Sequence, residues 1–176
     1  MAQKLEGGRA RTYQPRDLDS CASIFDANAA GFRLPLEKKD FVRFLTGLPH
    51  TGLALVLEDQ AGRTVACAGI QFRTVEEAAL CWGMVEPEWH GKGLGEALRL
   101  IRFSLLSEMP AVKKISVTVS QNDAPFFENL GFKTENVVLN GYSTGLHRHR
   151  LSLDLTDDFR SMVSRQCASL GLSFQK

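Results

Sequence analysis

The feature that most constrains this chain is the run Val85-Glu86-Pro87-Glu88-Trp89-His90-Gly91-Lys92-Gly93-Leu94-Gly95-Glu96, in which three glycines at alternate positions join an apolar strand to an amphipathic helix. Glycine lets the backbone approach a ligand closely, and the first free N–H groups of the helix, with the positive end of its dipole, face an anion. Spacing excludes two familiar nucleotide turns. A G-x-x-x-x-G-K-[ST] loop fails because Lys92 is followed by Gly93, which offers no hydroxyl to magnesium. A G-x-G-x-x-G turn fails because Gly91, Gly93 and Gly95 are spaced two and two. What survives is an anion site of another kind, or a loop that only changes direction.

Composition bounds what surrounds the turn. With 176 residues, 44% hydrophobic and 23% charged, the chain has material for one core and not for a second enzymatic module. Lys and Arg number 21 against 20 acids, a net charge of +1, so no broad field draws it to nucleic acid or to an anionic membrane. Any anion is held locally. The longest apolar stretch, Leu53 to Leu57, is far short of the ~20 residues that span a bilayer. The N-terminal MAQKLEGGRAR has no apolar core of a signal peptide, so a cytoplasmic location is expected. Cys21, Cys67, Cys81 and Cys167 are scattered, without a C-x-x-C pair or a histidine at metal spacing. They are expected to be small apolar residues, with no metal.

Residues 1–10 read as a frayed leader, leaving one domain over 11–176. Arg11 to Tyr13 reads as a short strand, followed by a helix with Pro15 near its start and Leu18, Cys21, Ala22, Ile24 and Phe25 inward, fading near Gly31. A second helix is expected over Glu37 to Leu45, after a Gly31 to Pro35 loop able to cover a cleft. The period then becomes extended. Leu53 to Glu58 and Val65 to Arg73 form a hairpin, and Ala78 to Val85 completes a meander. After the glycines a helix carries Leu94, Ala97, Leu98, Ile101, Leu105 and Leu106 on its apolar face and ends before Pro110. Lys114 to Val119 is a strand, Ala124 to Leu130 a short helix with Gly131 at its C′ position, and 133–139 and 147–155 are closing strands around a flexible Asn140 to Gly145 connection. A last helix spans Asp157 to Leu170 with Thr156 as N-cap. A meander with segregated helices makes the class α+β.

At His90-Gly91-Lys92-Gly93-Leu94-Gly95 the chain resembles the GNAT superfamily of acyl-CoA-dependent N-acyltransferases, whose signature is Gln/Arg-x-x-Gly-x-Gly/Ala after an apolar strand. His90 stands where Gln or Arg is usual. A second stretch, Ser120-Gln121-Asn122-Asp123-Ala124-Pro125-Phe126-Phe127-Glu128-Asn129-Leu130-Gly131-Phe132, is similar to the family's Asn-Ala motif and the helix that ends in Gly-Phe. The resemblance implies a mixed, mostly antiparallel twisted sheet of about seven strands flanked by helices. It also implies acetyl-CoA as co-substrate, an amine on a small molecule or protein as acceptor, and a homodimer. The pyrophosphate would lie on the backbone of Gly91, Lys92, Gly93, Leu94, Gly95 and Glu96, beside His90. The pantetheine arm would follow Met84 and Val85 where two parallel strands splay, with Asn122 and Phe127 alongside. Asn122 reads equally as an N-cap, and Lys92 as a solvated lysine.

Direct attack of an amine on a thioester needs a neutral amine, a stabilised oxyanion and a departing thiolate. An alkyl ammonium has a pKa of ~10.4, so a base or water chain removes its proton first. Glu86, just past the strand end, is the first candidate, then Glu77, then His90; Glu86 reads also as a solvated loop charge. The N–H of Val85 is the expected oxyanion donor. Where the family often has a tyrosine acid, this chain has Phe127, so the thiolate leaves unprotonated or Ser120, Tyr142 or water serves. Alternation puts His147 and His149 on the face of Leu151 and Leu153, where, with Tyr142, they would border the acceptor or act as base; strand-end histidines without a role are the plainer reading. Phe32, in the Gly31 to Pro35 loop, reads as core or as acceptor pocket. The alternative to an enzyme is a non-catalytic acyl-CoA-binding module without the tyrosine acid; a third reading is an unrelated anion-binding domain.

Overall fold

The computed structural model describes residues 9–32, 35–170 and 174–175. Strand β1 (Arg9–Thr12) leads through a 3-10 turn (Pro15–Asp17) into helix α1 (Leu18–Phe32) and α2 (Pro35–Thr46). Strands β2 (Leu53–Glu58), β3 (Thr64–Phe72) and β4 (Glu77–Val85) follow, then α3 (Leu94–Ser107), β5 (Lys114–Ser120) and α4 (Ala124–Asn129). Strands β6 (Lys133–Ser143) and β7 (Leu146–Asp154), helix α5 (Asp157–Leu170) and the two-residue β8 (Phe174–Gln175) complete the chain. All strands join one sheet in the order β6-β7-β5-β4-β3-β2-β1-β8. Pairing is antiparallel except at β4–β5 and at β1–β8, so the expected mixed α+β sheet holds, with β8 as a short addition at its edge.

Each helix lies where its apolar stripe finds a sheet face. Helices α1 and α2 bury Cys21, Ile24, Phe25, Phe41 and Phe44 against Val56, Cys67 and Met84 on one face. Helix α3 covers the other with Leu94, Ala97, Leu98 and Ile101 over Leu55, Leu57 and Ala66. Farther along that second face Phe103 and Leu106 meet Ile115, Val117, Leu151 and Val163, beside α4 and α5. Burying a leucine, isoleucine or phenylalanine side chain in this way stabilises the fold by about 1.5–3 kcal/mol apiece. None of the four cysteines is in a disulfide; Cys21 and Cys67 are buried, Cys81 and Cys167 partly so.

Several boundaries differ from the sequence reading for identifiable reasons. Strand β1 begins at Arg9, inside the expected leader, because Arg9 and Ala10 pair with Glu58 and Leu57 and Ala10 is buried. Arg11 of this strand is buried with Asp17, which it meets through both guanidinium ends at 2.7 and 2.8 Å, and also bonds Glu58. The Gly31 to Pro35 loop contracts, since Gly31 and Phe32 continue α1 and Pro35 opens α2; residues 33 and 34 and the Phe32 side chain lie outside the described residues. The flexible connection expected at Asn140 to Gly145 is instead mostly strand. Ser143 pairs with Leu146 across a turn of Thr144 and Gly145, where Gly145 has φ +77°, and Asn140 at φ +53° absorbs the irregularity in register. Caps match the reading: Gly131 has φ +93° past the end of α4, with Phe132 N–H bonded to Phe127 C=O, and Thr156 Oγ1 accepts from Phe159 N–H.

Candidate active site

Parallel pairing between β4 and β5 runs from Glu77↔Lys114 to Leu80↔Val117 and stops there, while β5 continues beside β7 as far as Ser120↔Arg148. Beyond Leu80 the two strands therefore part. On its other side β4 pairs Cys81 with Gly69 and Met84 with Cys67, leaving Trp82 and Gly83 opposite Ala68 alone. This is a bulge, and Trp82 takes φ +52° to make it. The bulge breaks alternation. Trp82 turns onto the α1–α2 face, its ring 5.2 Å from that of Phe41, while the exposed Gly83 is turned toward α3.

After the bulge the backbone directions can be read from its partners. Glu86 N–H bonds Val65 C=O on β3, so the groups of Val85 and Gly83, which alternate with it, point to the parted side. The Val85 carbonyl is taken there by two side chains, Asn28 Nδ2 of α1 at 3.0 Å and His90 Nε2 at 2.9 Å. A carbonyl only accepts, so His90 carries its proton on Nε2 in this contact. Beside this edge lies the start of α3. Gly93 is its N-cap at φ +81°, no side chain caps it, and the first helical bond runs from Ala97 N–H to Gly93 C=O at 3.0 Å. The N–H groups from Gly93 to Glu96 thus have no partner within the helix. Gly91, at φ +74°, and Gly95 each face open space. Lys92 is exposed and lies over the Trp89 ring at 4.4 Å.

The other sequence candidates fall into two groups. Glu86 sits at the end of β4 as N-cap of a 3-10 turn, Pro87–Trp89, half-buried beside Met84 and Val85. Glu77 is not brought there. It opens β4 roughly 25 Å away at strand spacing, and it is bound by Ser116 Oγ and Arg150 Nη2, each at 2.7 Å. Ser120 is at the mouth between the strands, but its hydroxyl donates to Asp123 Oδ2 at 2.9 Å. Asn122 is exposed, and the N-cap of α4 is Asp123, so the capping reading of Asn122 is corrected. Phe127 is half-buried, edge-on to Phe126 and to Phe132 with centroids 5.2 and 5.4 Å apart. His147 and His149 share the face of Leu151 as read from alternation, His149 opposite Val119. The Nδ1 of His149 is buried with no hydrogen-bond partner among the described residues, whereas that of His147 accepts from Asn140 N–H at 3.1 Å. Tyr142 is half-buried near the tip of the same hairpin.

Three residues that the sequence reading passed over shape this site. Gly83 is cleft-facing only because of the bulge, which hydrophobic alternation conceals. Asn28 bonds both Ile24 C=O, one turn back, and Val85 C=O, fastening α1 to the end of β4. Gln121 bridges two loops: its Nε2 donates to Gly145 C=O at 2.9 Å and its Oε1 accepts from His147 N–H. For Asn28 and Gln121 the signal was a polar residue within a helix or a quoted motif; for Gly83 there was none.

Two central parallel strands thus part beside a helix N-terminus whose free N–H groups suit an anion. Residues 50–134 match the family model for the acetyltransferase (GNAT) domain, and the fold is that of solved GNAT acetyltransferase structures. No curated protein sequence matches it. Among solved structures it is similar to the ribosomal-protein-S18-alanine N-acetyltransferase of Escherichia coli, with a TM-score of 0.72 and 23% identity over 85% of this chain and 94% of that one. Ard1 of Thermoplasma volcanium gives 0.71 and 18%, over 86% and 99%. The spermidine/spermine N-acetyltransferase SpeG of Vibrio cholerae gives 0.69 and 13%, over 90% and 99%.

Proposed function

We propose that this protein transfers an acetyl group from acetyl-CoA to a primary amine by direct attack within a ternary complex. The observation that carries the reading is the parting of β4 from β5, which turns the backbone of Gly83 and Val85 toward a groove ending at the free N–H groups of α3. Those N–H groups, on a backbone bare of side chains at Gly91, Gly93 and Gly95, suit a pyrophosphate; the strand edge suits the amides of the pantetheine arm. Asn28 and His90 hold the Val85 carbonyl, and they exchange with an arm amide as it binds.

In the reaction the amine nitrogen forms the C–N bond as the C–S pair moves to sulfur. Glu86, directly or through water, takes the ammonium proton before attack. The N–H groups of Val85 and Gly83 face the carbonyl oxygen as it becomes negative. His147, His149 and Tyr142 border the acceptor from the β6–β7 hairpin, whose tip Gln121 fixes to the loop after β5. An amine acceptor is also what the names of the Escherichia coli and Vibrio cholerae proteins specify, an alanine in one and a polyamine in the other. We infer action in the cytoplasm, as a homodimer.

Phe127 favours a second reading, a non-catalytic acyl-CoA-binding module, because its ring is packed among Phe126 and Phe132 and gives no proton. The test takes two steps. Thermal unfolding with saturating acetyl-CoA, coenzyme A and ADP should give larger shifts for the coenzymes than for ADP, and absence of any shift overturns the proposal. Thiol release with a panel of small amines and N-terminal peptides then separates enzyme from binding module. Release above that of a Gly93→Glu variant rejects the module.

A further inference from the structure

Arg102 is the one guanidinium of α3 that lies under the bulge of β4. It is 7% exposed. Its Nε donates to Leu98 C=O at 3.2 Å, and its Nη1 reaches the carbonyls of Gly69 and Cys81 only at 3.5 Å each, the outer limit of a hydrogen bond. Among the described residues no carboxylate pairs with it. The groups acting on its charge are the thiols of Cys81 on β4 and Cys67 on β3, and the guanidinium of Arg99 on its own helix. Burial pushes the Cys81 thiol up to about 12, so that group is no counter-anion at neutral pH. Burial likewise draws Arg102 down to about 10, which leaves it cationic.

A cation buried without an anion opposes folding strongly, and a neutral donor could serve two bulge carbonyls as well. The position of the charge is therefore the point of interest. Nη2 lies 3.2 Å from where a Cβ on Gly83 would stand, so glycine there lets the guanidinium press against backbone that is itself exposed in the cleft. On the other side of the same site Phe127 removes the proton donor for a departing sulfur.

Resting on the acetyltransferase reading, we infer that Arg102 is a positioning residue that holds negative charge in the cleft beside Gly83, on the thioester oxygen and then on the sulfur, in place of a proton donor. It acts across the Gly83 backbone and does not touch the substrate. The ammonium proton goes to Glu86 or water before attack, the attached nitrogen gives a second proton to water as it becomes the amide nitrogen, and the sulfur leaves with the C–S electron pair as a thiolate that takes a proton from solvent only afterwards.

The test compares coenzyme A with desulfo-coenzyme A by calorimetry on the full chain between about pH 6 and pH 9. A nearby cation lowers a thiol pKa, ordinarily about 8.5, by about one unit or more. Coenzyme A should therefore gain about tenfold over its desulfo analogue as pH rises. Arg102→Met should flatten that ratio while binding the desulfo analogue as before, and Arg102→Lys should restore it in part. Arg102→Met should also raise the unfolding temperature, since an uncompensated buried charge is removed for an apolar chain of similar length. A ratio that still rises with pH in Arg102→Met overturns the inference. So does a lower unfolding temperature with a wild-type ratio, which would make Arg102 a cap for the bulge carbonyls. Failure of the unaltered chain to bind either compound overturns the coenzyme reading itself.

Discussion

Gly95→Ala separates what the glycine turn does for folding from what it does for a ligand. Gly95 is the second residue of α3, has helical backbone, and a Cβ built on it meets nothing within 4 Å. The free protein should gain, since alanine in a helix is favoured over glycine by up to about 1 kcal/mol. For a domain of this size that is a rise of roughly 2–4 °C in Tm. The bound state should lose, because the same methyl stands among the N–H groups of Leu94, Gly95 and Glu96 where an anion must approach. A hydrogen bond to a charged group contributes about 1.5–3 kcal/mol, so displacing one raises the coenzyme A Kd about tenfold or more. Gly91→Ala and Gly62→Ala are the controls. Both positions have positive φ, +74° and +80°, and open space, so alanine costs each about 1–2 kcal/mol of backbone strain. Only the first lies at the site. Calorimetry with coenzyme A and ADP, beside thermal melts, reads all three variants. Wild-type coenzyme affinity in Gly95→Ala, or an affinity loss in Gly62→Ala equal to that in Gly91→Ala, would refute the reasoning.

Three further outcomes follow from the contacts. Asp17→Asn should lower stability by about 1.5–3 kcal/mol in chemical denaturation, because the buried Arg11 loses one of its two carboxylate partners and keeps only Glu58. Burial pushes the Asp17 carboxyl up, but hydrogen bonds from Arg11 and Gln14 outweigh it and hold the group below its ordinary range. Its contribution is thus complete above the unfolded carboxylate pKa and fades as pH falls below about 4, so the gap between variant and wild type should narrow there. Gly69→Ala puts a Cβ 2.8 Å from both Cys81 Sγ and Phe44, and should cost about 1–3 kcal/mol in the same assay, with no loss indicating a softer core than drawn. Gln121→Ala should speed hydrogen exchange at the His147 amide and raise the acceptor KM more than it lowers kcat, with coenzyme affinity intact; unchanged exchange would show that the bridge does not hold the hairpin.

Elements with strong periodicity were legible from the chain. Helix α3 and strand β2 stand where spacing puts them, and the caps at Gly131 and Thr156 follow from local chemistry that needs no tertiary partner. Boundaries set by long-range pairing were not. Arg9 and Ala10 carry too little hydrophobic signal to read as a strand, and become one because β2 is beside them. The β6–β7 hairpin extends through Asn140 to Ser143 because Asn140 accepts αL backbone and its side chain takes the Gly145 N–H at 2.8 Å, which composition alone reads as a flexible loop.

The candidate site divides in the same way. Its glycine turn, three glycines at alternate positions, was visible; the parted strand edge depends on one inserted residue in β4. Strict alternation from Leu80 would have put Trp82 toward α3 and Gly83 toward α1. The bulge reverses this, so the indole joins Phe25 and Phe41 in the α1–α2 core and the space over α3 is left to a glycine and a guanidinium. Had the strand stayed regular, an indole would occupy the place where Arg102 now reaches the backbone, and its bulk would shield that backbone from the charge. The same insertion leaves carbonyls on Gly69 and Cys81 for the guanidinium to approach. A register shift thus couples a core contact on one face to the charge on the other, and substitutions at Trp82 should alter both stability and the pH response assigned to Arg102.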